Sequence, residues 1–425
     1  MGLATPYGSG SEGLTPNRVV VSEGVTLVAD EGRDVTFIRG QAATSGGDEY
    51  GRGPGAVRSV FLENKARLTG FTVVDGTVAT PCTGTIPSDN GDSSGGGILC
   101  RTAAGLNAPT VEDCVITNCA GVRGGGALGG TFVNCVFVGN KGRMGSAARD
   151  VSLFGCVIRD SVPTIGDSRG DPGVEAPKRI EGCTFGPGEK MYEYTAAPLT
   201  LVNSVFLDTN GGIQPYTNKP LVASNCFFAV GAIRSGSEGM ITLVGGGIRE
   251  PDELRFDGEM RPVYGACAAI NGGSNAIQPP ELAGKTDALG GQRIYHATID
   301  SGAVEFDYRP VFAAALGTGV TVGFASPEVI WSDGALRLTD GLALTANWTV
   351  APDKRVAARA QVTGAGTLAV GLNGLPLAEL TETSTVAELK FRSTGDNALA
   401  FAFAGEGTCA IYPFKGPQGV LLIVR

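Results

Sequence analysis

The chain has 425 residues, 33 of them basic and 42 acidic for a formal charge of −9, and 66 glycines, about 15 % of the whole. Average usage is roughly 7 % glycine and about 25 % charged residues, while charged residues here make up 18 % and apolar ones 42 %. These figures exclude a disordered polyelectrolyte and a Gly-X-Y collagen, and the acidic balance without a Lys/Arg cluster excludes nucleic acid as an expected partner.

No apolar run reaches the roughly 18 to 20 residues that cross a bilayer, so no transmembrane segment is expected. The start, MGLATPYGSG, lacks a signal-peptide pattern and leads almost directly into a strand. A leader and a capping segment are expected to have been trimmed.

From residue 68 onward a repeat appears. The segments VEDCVIT, FVNCVFV, LFGCVIR, IEGCTFG, LVNSVFL and ASNCFFA align on Cys114, Cys135, Cys156, Cys183, Ser204 and Cys226, with steps of 21, 21, 27, 21 and 22 residues. An earlier copy, LTGFTVV, puts Phe71 in the same column 43 residues before Cys114, a gap that reads as two periods. Three positions before the column stand Leu68, Val111, Phe132, Leu153, Ile180, Leu201 and Ala223; two positions after it stand Val73, Ile116, Phe137, Ile158, Phe185, Phe206 and Phe228. Positions −3, 0 and +2 cannot share one face of a continuous strand, because strand side chains alternate. The residue before the column resolves the parity: Gly70, Asp113, Asn134, Gly155, Gly182, Asn203 and Asn225 are types that enter the left-handed region cheaply. One such corner per coil of about 21 residues, with three short strands, predicts a parallel β-helix.

A second set of repeats, GGGIL from Gly95, GGGAL from Gly124 and GSAAR from Gly145, predicts a glycine-rich strand in each coil, with an eight-residue insertion near RTAAGLNA in the first. Glycine there is expected to leave a low, flat outer face suited to an extended polymer. Long interruptions at roughly 39–55, 75–94 and 159–178 are expected to wall that face.

Among the ten cysteines, the five in the column point the same way about 4.8 Å apart, which suits buried thiols and not disulfides. Cys82 and Cys119 fall in equivalent loops and have the spacing to pair. No Cys/His spacing suits zinc.

The passages NRVVVSEGVTLVAD, AVRSVFLENKARLTGFTVVDG, SGGGILC and GGGALGGTFVNCVFVGN resemble the pectate-lyase-like right-handed parallel β-helix proteins. In particular the chain is similar to secreted bacterial repeat proteins of the choice-of-anchor group, which close on a DIGAxE motif. Asp300, Gly302, Ala303 and Glu305 match that motif, with Ser301 in place of isoleucine. The resemblance implies a β-helix and an extracellular or cell-surface setting; the architecture carries lyases, hydrolases, spikes, adhesins and spacers alike.

After residue 307 the period disappears. ALRLTDG, LALTANWTV, VAARAQVTG, TLAVGLNG, VAELKFRSTG, NALAFAFAG, TCAIYPF and GVLLIVR are alternating runs between turns, and predict an antiparallel, jelly-roll-like β-sandwich over 308–425. By analogy such a domain is a carbohydrate-binding module; a cap or anchor lead is the alternative. The expectation for the whole is an all-β chain, a right-handed parallel β-helix over 1–307 followed by that sandwich.

Candidate binding groups are Asp167, Arg169, Asp171 and Glu175 in the third long loop, with Tyr192, Glu193, Tyr194 and Tyr216 near the glycine-rich strands of the next coils. Tyrosines beside carboxylates on an exposed sheet stack on and hydrogen-bond to sugars. Asp89 and Asp92 in SDNGDSS offer oxygen ligands for calcium, though without EF-hand spacing. The function expected is binding of a polysaccharide or a surface partner along a rigid elongated face, with a polysaccharide lyase or glycoside hydrolase, or a structural stalk, as alternatives.

Overall fold

The computed structural model describes residues 3–4, 15–81, 91–101, 107–163, 174–193, 199–215, 221–293, 298–318, 320–325, 330–332 and 335–415. The chain divides into two compact units, one reaching Phe306 and the other running from Asp307 to the C-terminus with Tyr295–Ala297.

The first unit is the β-helix. Its coils stack three parallel ladders: a nine-stranded sheet, and a 16-stranded sheet made of two ladders that the strand Leu221–Ala229 joins. Within one coil the order is, for example, Ile98–Cys100, Thr110–Glu112, Val115–Thr117. The corner between the last two is Asp113 at φ 50°, and Gly70, Asn134, Gly155, Gly182, Asn203 and Asn225 are all left-handed at φ 45° to 81°. The corner thus turns the parity as the alternation requires.

One spacing is corrected. Thr72–Val74 pairs directly with Val115–Thr117, so Phe71 and Cys114 belong to neighbouring coils. The 43 residues between them are one period plus inserted loop. An earlier coil, ending in Phe37–Arg39, pairs with Thr72–Val74 and carries no glycine, Asn or Asp before its column, which hid it from the alignment.

The core is the interior of the coil. Leu68, Val73, Val111, Ile116, Phe132, Phe137, Leu153 and Ile158 are fully buried, as are Cys114, Cys135, Cys156, Cys183 and Cys226. The thiols do more than fill space. At the corner the ladder is interrupted, and the column N–H groups need acceptors. Phe71 N–H donates to Cys114 Sγ, Cys156 N–H to Cys183 Sγ and Ser204 N–H to Cys226 Sγ, each at 3.4 Å, while Cys183 N–H donates to Ser204 Oγ at 3.0 Å. That shared job explains why serine can stand in a cysteine column. Burial raises the thiols of Cys114, Cys156 and Cys226, the last to about 12. Cys119 is also a free buried thiol, donating to backbone carbonyls, so the pairing with Cys82 is not formed; Cys82 lies outside the described residues.

The glycine-rich segments also differ from expectation. Gly95–Gly97 and Gly124–Gly126 are buried, not a bare outer face. A Cβ on Gly96 would lie 2.2 Å from the Ala120 carbonyl oxygen, and one on Gly125 2.0 Å from that of Lys141. These glycines let the turns of adjacent coils approach closely.

Residues 250–293 and 298–306 form a strap over the outside of the larger sheet. Ala269, Ala288, Ala303 and Val304 bury Val136, Val157, Val205 and Phe227. Asn203 fastens it, donating from Nδ2 to Ser274 O and accepting from Ser274 N–H. The DIGAxE-like residues lock its end. Asp300 accepts the N–H groups of Asn271 and Phe306, Glu305 accepts that of Asp300, and Gly302 N–H donates to Asn203 O.

In the second unit a helix, Tyr308–Leu316, precedes two five-stranded antiparallel sheets. The helix was not read from the sequence, where residues from 308 onward were expected to be sandwich. The sheets face one another: Trp348 on one meets Phe391 and Phe414 on the other. Leu399, Phe401 and Phe403 share the buried face, as the alternation requires.

Candidate functional site

The nine-stranded sheet points Val60, Ile98, Ala127, Ala148, Val174, Met191 and Ile213 into the core. The alternate positions form one outer column, fixed by register: Val20, Phe61, Leu99, Leu128, Arg149, Glu175, Tyr192 and Gln214. A bridge between Ile213 and Ile233 sets Arg234 beside Gln214 at its end. The column changes character half-way. Phe61, Leu99 and Leu128 form a buried apolar cluster, whereas the later coils place polar and charged residue types in the same line.

At that polar end lies a cleft of about 470 Å3. Tyr192 and Gln214 are its buried members, Lys190 is half-buried, and Arg234, Thr209, Asn210 and Ser235 are exposed. Its walls are stacked turns. Gly211 N–H donates to Gly231 O at 2.8 Å, and at φ 86° a Cβ on Gly231 would lie 2.3 Å from Thr209 O. The described lining holds two cations and no carboxylate. Cations, amides and hydroxyls around one ring can grip an anionic, hydroxyl-rich ligand.

Next to Lys190, Glu189 turns away into the stacked turns, where its Oε1 accepts Ser161 N–H at 2.7 Å. Burial pushes its carboxyl up to about 7.

Of the residues singled out from sequence, Tyr192 stands in the cleft but is 4 % exposed, because neighbouring coils and turns enclose it. It is a floor, not an open stacking platform. Glu175 is in the strand Val174–Glu175, in register beside Tyr192, and not in the third loop. Glu193 ends the strand Met191–Glu193, opposite Pro215. Asp167, Arg169, Asp171, Tyr194, Tyr216 and Asp89 lie outside the described residues. Asp92 is buried and accepts Thr15 N–H at 2.6 Å. Among the described residues no three Asp, Glu, His or Cys side chains converge as metal ligands.

Sequence reasoning missed Lys190, Gln214 and Arg234. The signal was present: stepping from Tyr192 by 22 and then 20 residues reaches Gln214 and Arg234.

No family model and no curated protein matches the chain. Among solved structures it is similar to a family two carbohydrate esterase from Clostridium thermocellum (16 % identity, TM-score 0.20), over 24 % of this chain and 31 % of that one. It thus spans less than a third of that esterase. A CBM36 carbohydrate-binding module in complex with calcium and xylotriose is 14 % identical over 21 % of this chain and 87 % of the module, TM-score 0.17. The enzymatically active domain of tailspike protein 4 of bacteriophage CBA120 is 12 % identical over 84 % of this chain and 53 % of that one, TM-score 0.23. Likenesses this slight carry no argument; the fold rests on the ladders and corners. Among the described residues no helix is long and apolar enough to cross a membrane.

Proposed function

We propose that the protein works outside the cell or on its surface and binds an extended polysaccharide along the outer column of the nine-stranded sheet. The observation that supports this reading is the polar end of that column, where Tyr192, Gln214 and Arg234 follow one another in register beside Lys190. Parallel strands repeat at about 4.8 Å, so a chain of sugar rings lying along the helix axis meets a polar group at each coil of that polar end. Two cations favour glycans that carry carboxylate or sulfate groups. The stacked turns are rigid, so little ordering accompanies binding. A glycoside hydrolase places two carboxyl groups about the scissile bond, and none is among the described residues that line the cleft.

The test is affinity electrophoresis and calorimetry of the full chain against acidic and neutral polysaccharides. Retention by an acidic polysaccharide is expected, weakened about tenfold in Arg234→Ala, roughly 1.4 kcal/mol for one charge-assisted hydrogen bond, with an unchanged melting temperature. Equal retention of wild type and Arg234→Ala, or new reducing or unsaturated ends on incubation, would refute it.

A further inference from the structure

In the second unit one of the two sheets orders the strands Ile330–Ser332, Ala335–Leu338, Thr408–Lys415, Arg355–Thr363 and Ala387–Arg392. Val356, Ala358, Ala360 and Val362 are buried on its inner side, where Phe391 meets Trp348 of the facing sheet. Residues directly opposite in an antiparallel pair lie on the same face, so register fixes what the outer side carries. Glu388, Lys390 and Arg392 alternate outward along the last strand and are exposed. Glu388 stands opposite Arg359, and Arg359 in turn opposite Tyr412; Lys390 stands opposite Ala357, whose other neighbour is Lys415. The adjoining row holds Gln361, Ala410 and Arg337.

The outer face therefore gathers Arg337, Arg359, Lys390, Arg392 and Lys415, in a chain whose formal charge is −9. Glu388 is the only acid among the described residues of the five strands. It accepts from Lys415 Nζ at 2.9 Å and lies 4.0 Å from Lys390 Nζ. That hydrogen bond, with the charges of Lys415, Lys390 and Arg359, holds its carboxyl below the ordinary range. The five cations are spread over residues 337 to 415 with no two adjacent, so only strand pairing assembles them. Between them Ala357 and Ala410 are small and buried, which keeps the middle of the face low and flat.

From this we infer that the outer face of this sheet binds an acidic polysaccharide, as a site separate from the β-helix cleft. Guanidinium forks and ammonium groups take the sulfate or carboxylate substituents of the sugar rings, and a flat face meets an extended chain along its length. Nucleic acid fits less well. The major groove of a duplex admits a helix or a two-stranded ribbon and not a sheet face, and a single strand stacks its bases on open aromatic rings. Here the Arg359 guanidinium lies over the Tyr412 ring, 5.7 Å from its centroid. The class of polymer is the one proposed for the β-helix column, while the residues that hold it are different ones.

Isothermal titration of the full chain with dextran sulfate, polygalacturonate, uncharged dextran and a short DNA duplex tests the assignment. At least one acidic polysaccharide is expected to bind, and more weakly as salt rises, because exposed charges are screened over about 8 Å at physiological ionic strength. Dextran is expected to be silent and the duplex weaker. Lys390→Glu combined with Arg392→Glu, both exposed on the outermost strand, is expected to cut affinity about tenfold at an unchanged melting temperature. Glu388→Gln removes the one acid and is expected to tighten binding severalfold; it carries the test if the double variant does not fold. Both factors are expected to be the same in an Arg234→Ala background. Undiminished affinity in a folded double variant, no gain in Glu388→Gln, or tighter binding of the duplex would overturn the assignment. Weakening by Arg234→Ala alone would strike this site and leave the β-helix reading, whereas silence with every polysaccharide would strike both.

Discussion

Strands in the first unit, such as Ala127–Leu128 and Ala148–Arg149, are two residues long, and each makes sense only against the coil before and after it. In the second unit Asp396–Ala404 runs nine residues, buries every second side chain and pairs with two antiparallel neighbours. The difference shows in what each tolerates. A coil is held by backbone geometry at turns and corners, where a single Cβ decides whether the next coil fits. A sandwich strand is held by side-chain alternation, which spreads stability over many similar residues. Their candidate binding surfaces differ accordingly: one is a cleft built from coil-to-coil register, the other an open face built from antiparallel pairing.

The comparison is broken most directly at the glycines. Gly125→Ala puts a Cβ 2.0 Å from one backbone oxygen and 2.5 Å from another. Backbone cannot rotate aside, so a loss above about 3 kcal/mol is expected in the first unit, with the unfolding transition of the second unmoved. A single shared transition that shifts as a whole would mean that the units do not respond separately.

A comparable loss is expected for Asn203→Val. It places a β-branched residue at φ 45°, about 1 to 2 kcal/mol, and removes both side-chain hydrogen bonds to Ser274 in the strap, on the order of 1 kcal/mol each. Denaturant titration of Asn203→Val beside Asn203→Gly separates the two, because glycine relieves the strain and still loses the strap.

Titration sharpens the strap further. Burial, then the Asp300 charge, pushes the Glu305 carboxyl up to about 9, and burial raises Asp300 to about 6. Both folded values lie above the unfolded ones. The stabilisation is therefore fully present below the ordinary carboxylate range and is lost as pH rises toward 9. The denaturation midpoint of the first unit is expected to fall across that window, and Glu305→Gln to flatten the slope. A wild-type midpoint that stays level would contradict the protonated state of this group.

The smallest expected effect lies in the cysteine column. Cys183→Ser keeps an acceptor for Cys156 N–H, as Ser204 does for Cys183, and is expected to be near neutral. Cys183→Val leaves that buried N–H unmet, at about 1 to 2 kcal/mol, measurable by the same denaturation. Equal stabilities would reduce the column to packing alone.

The sequence by itself determined the period, the left-handed corners at Asn134, Asn203 and Asn225, the inward columns and the alternation of Leu399, Phe401 and Phe403. These depend on the conformational preferences of single residues and on spacing of 2 or about 21, which a linear string displays. One member of the candidate site was legible too: Tyr192 was found because it follows the glycine-rich strand by period. Only the tertiary structure decided that Phe71 adjoins Cys114, since inserted length is invisible to spacing. It also decided that Gly96 and Gly125 are buried against neighbouring carbonyls, and that Lys190, Gln214 and Arg234 gather around Tyr192. The strap over the larger sheet and the cationic face of the sandwich belong to the same class. Each joins residues far apart in the chain through contacts that follow from no local preference, and so no pattern in the string could announce them.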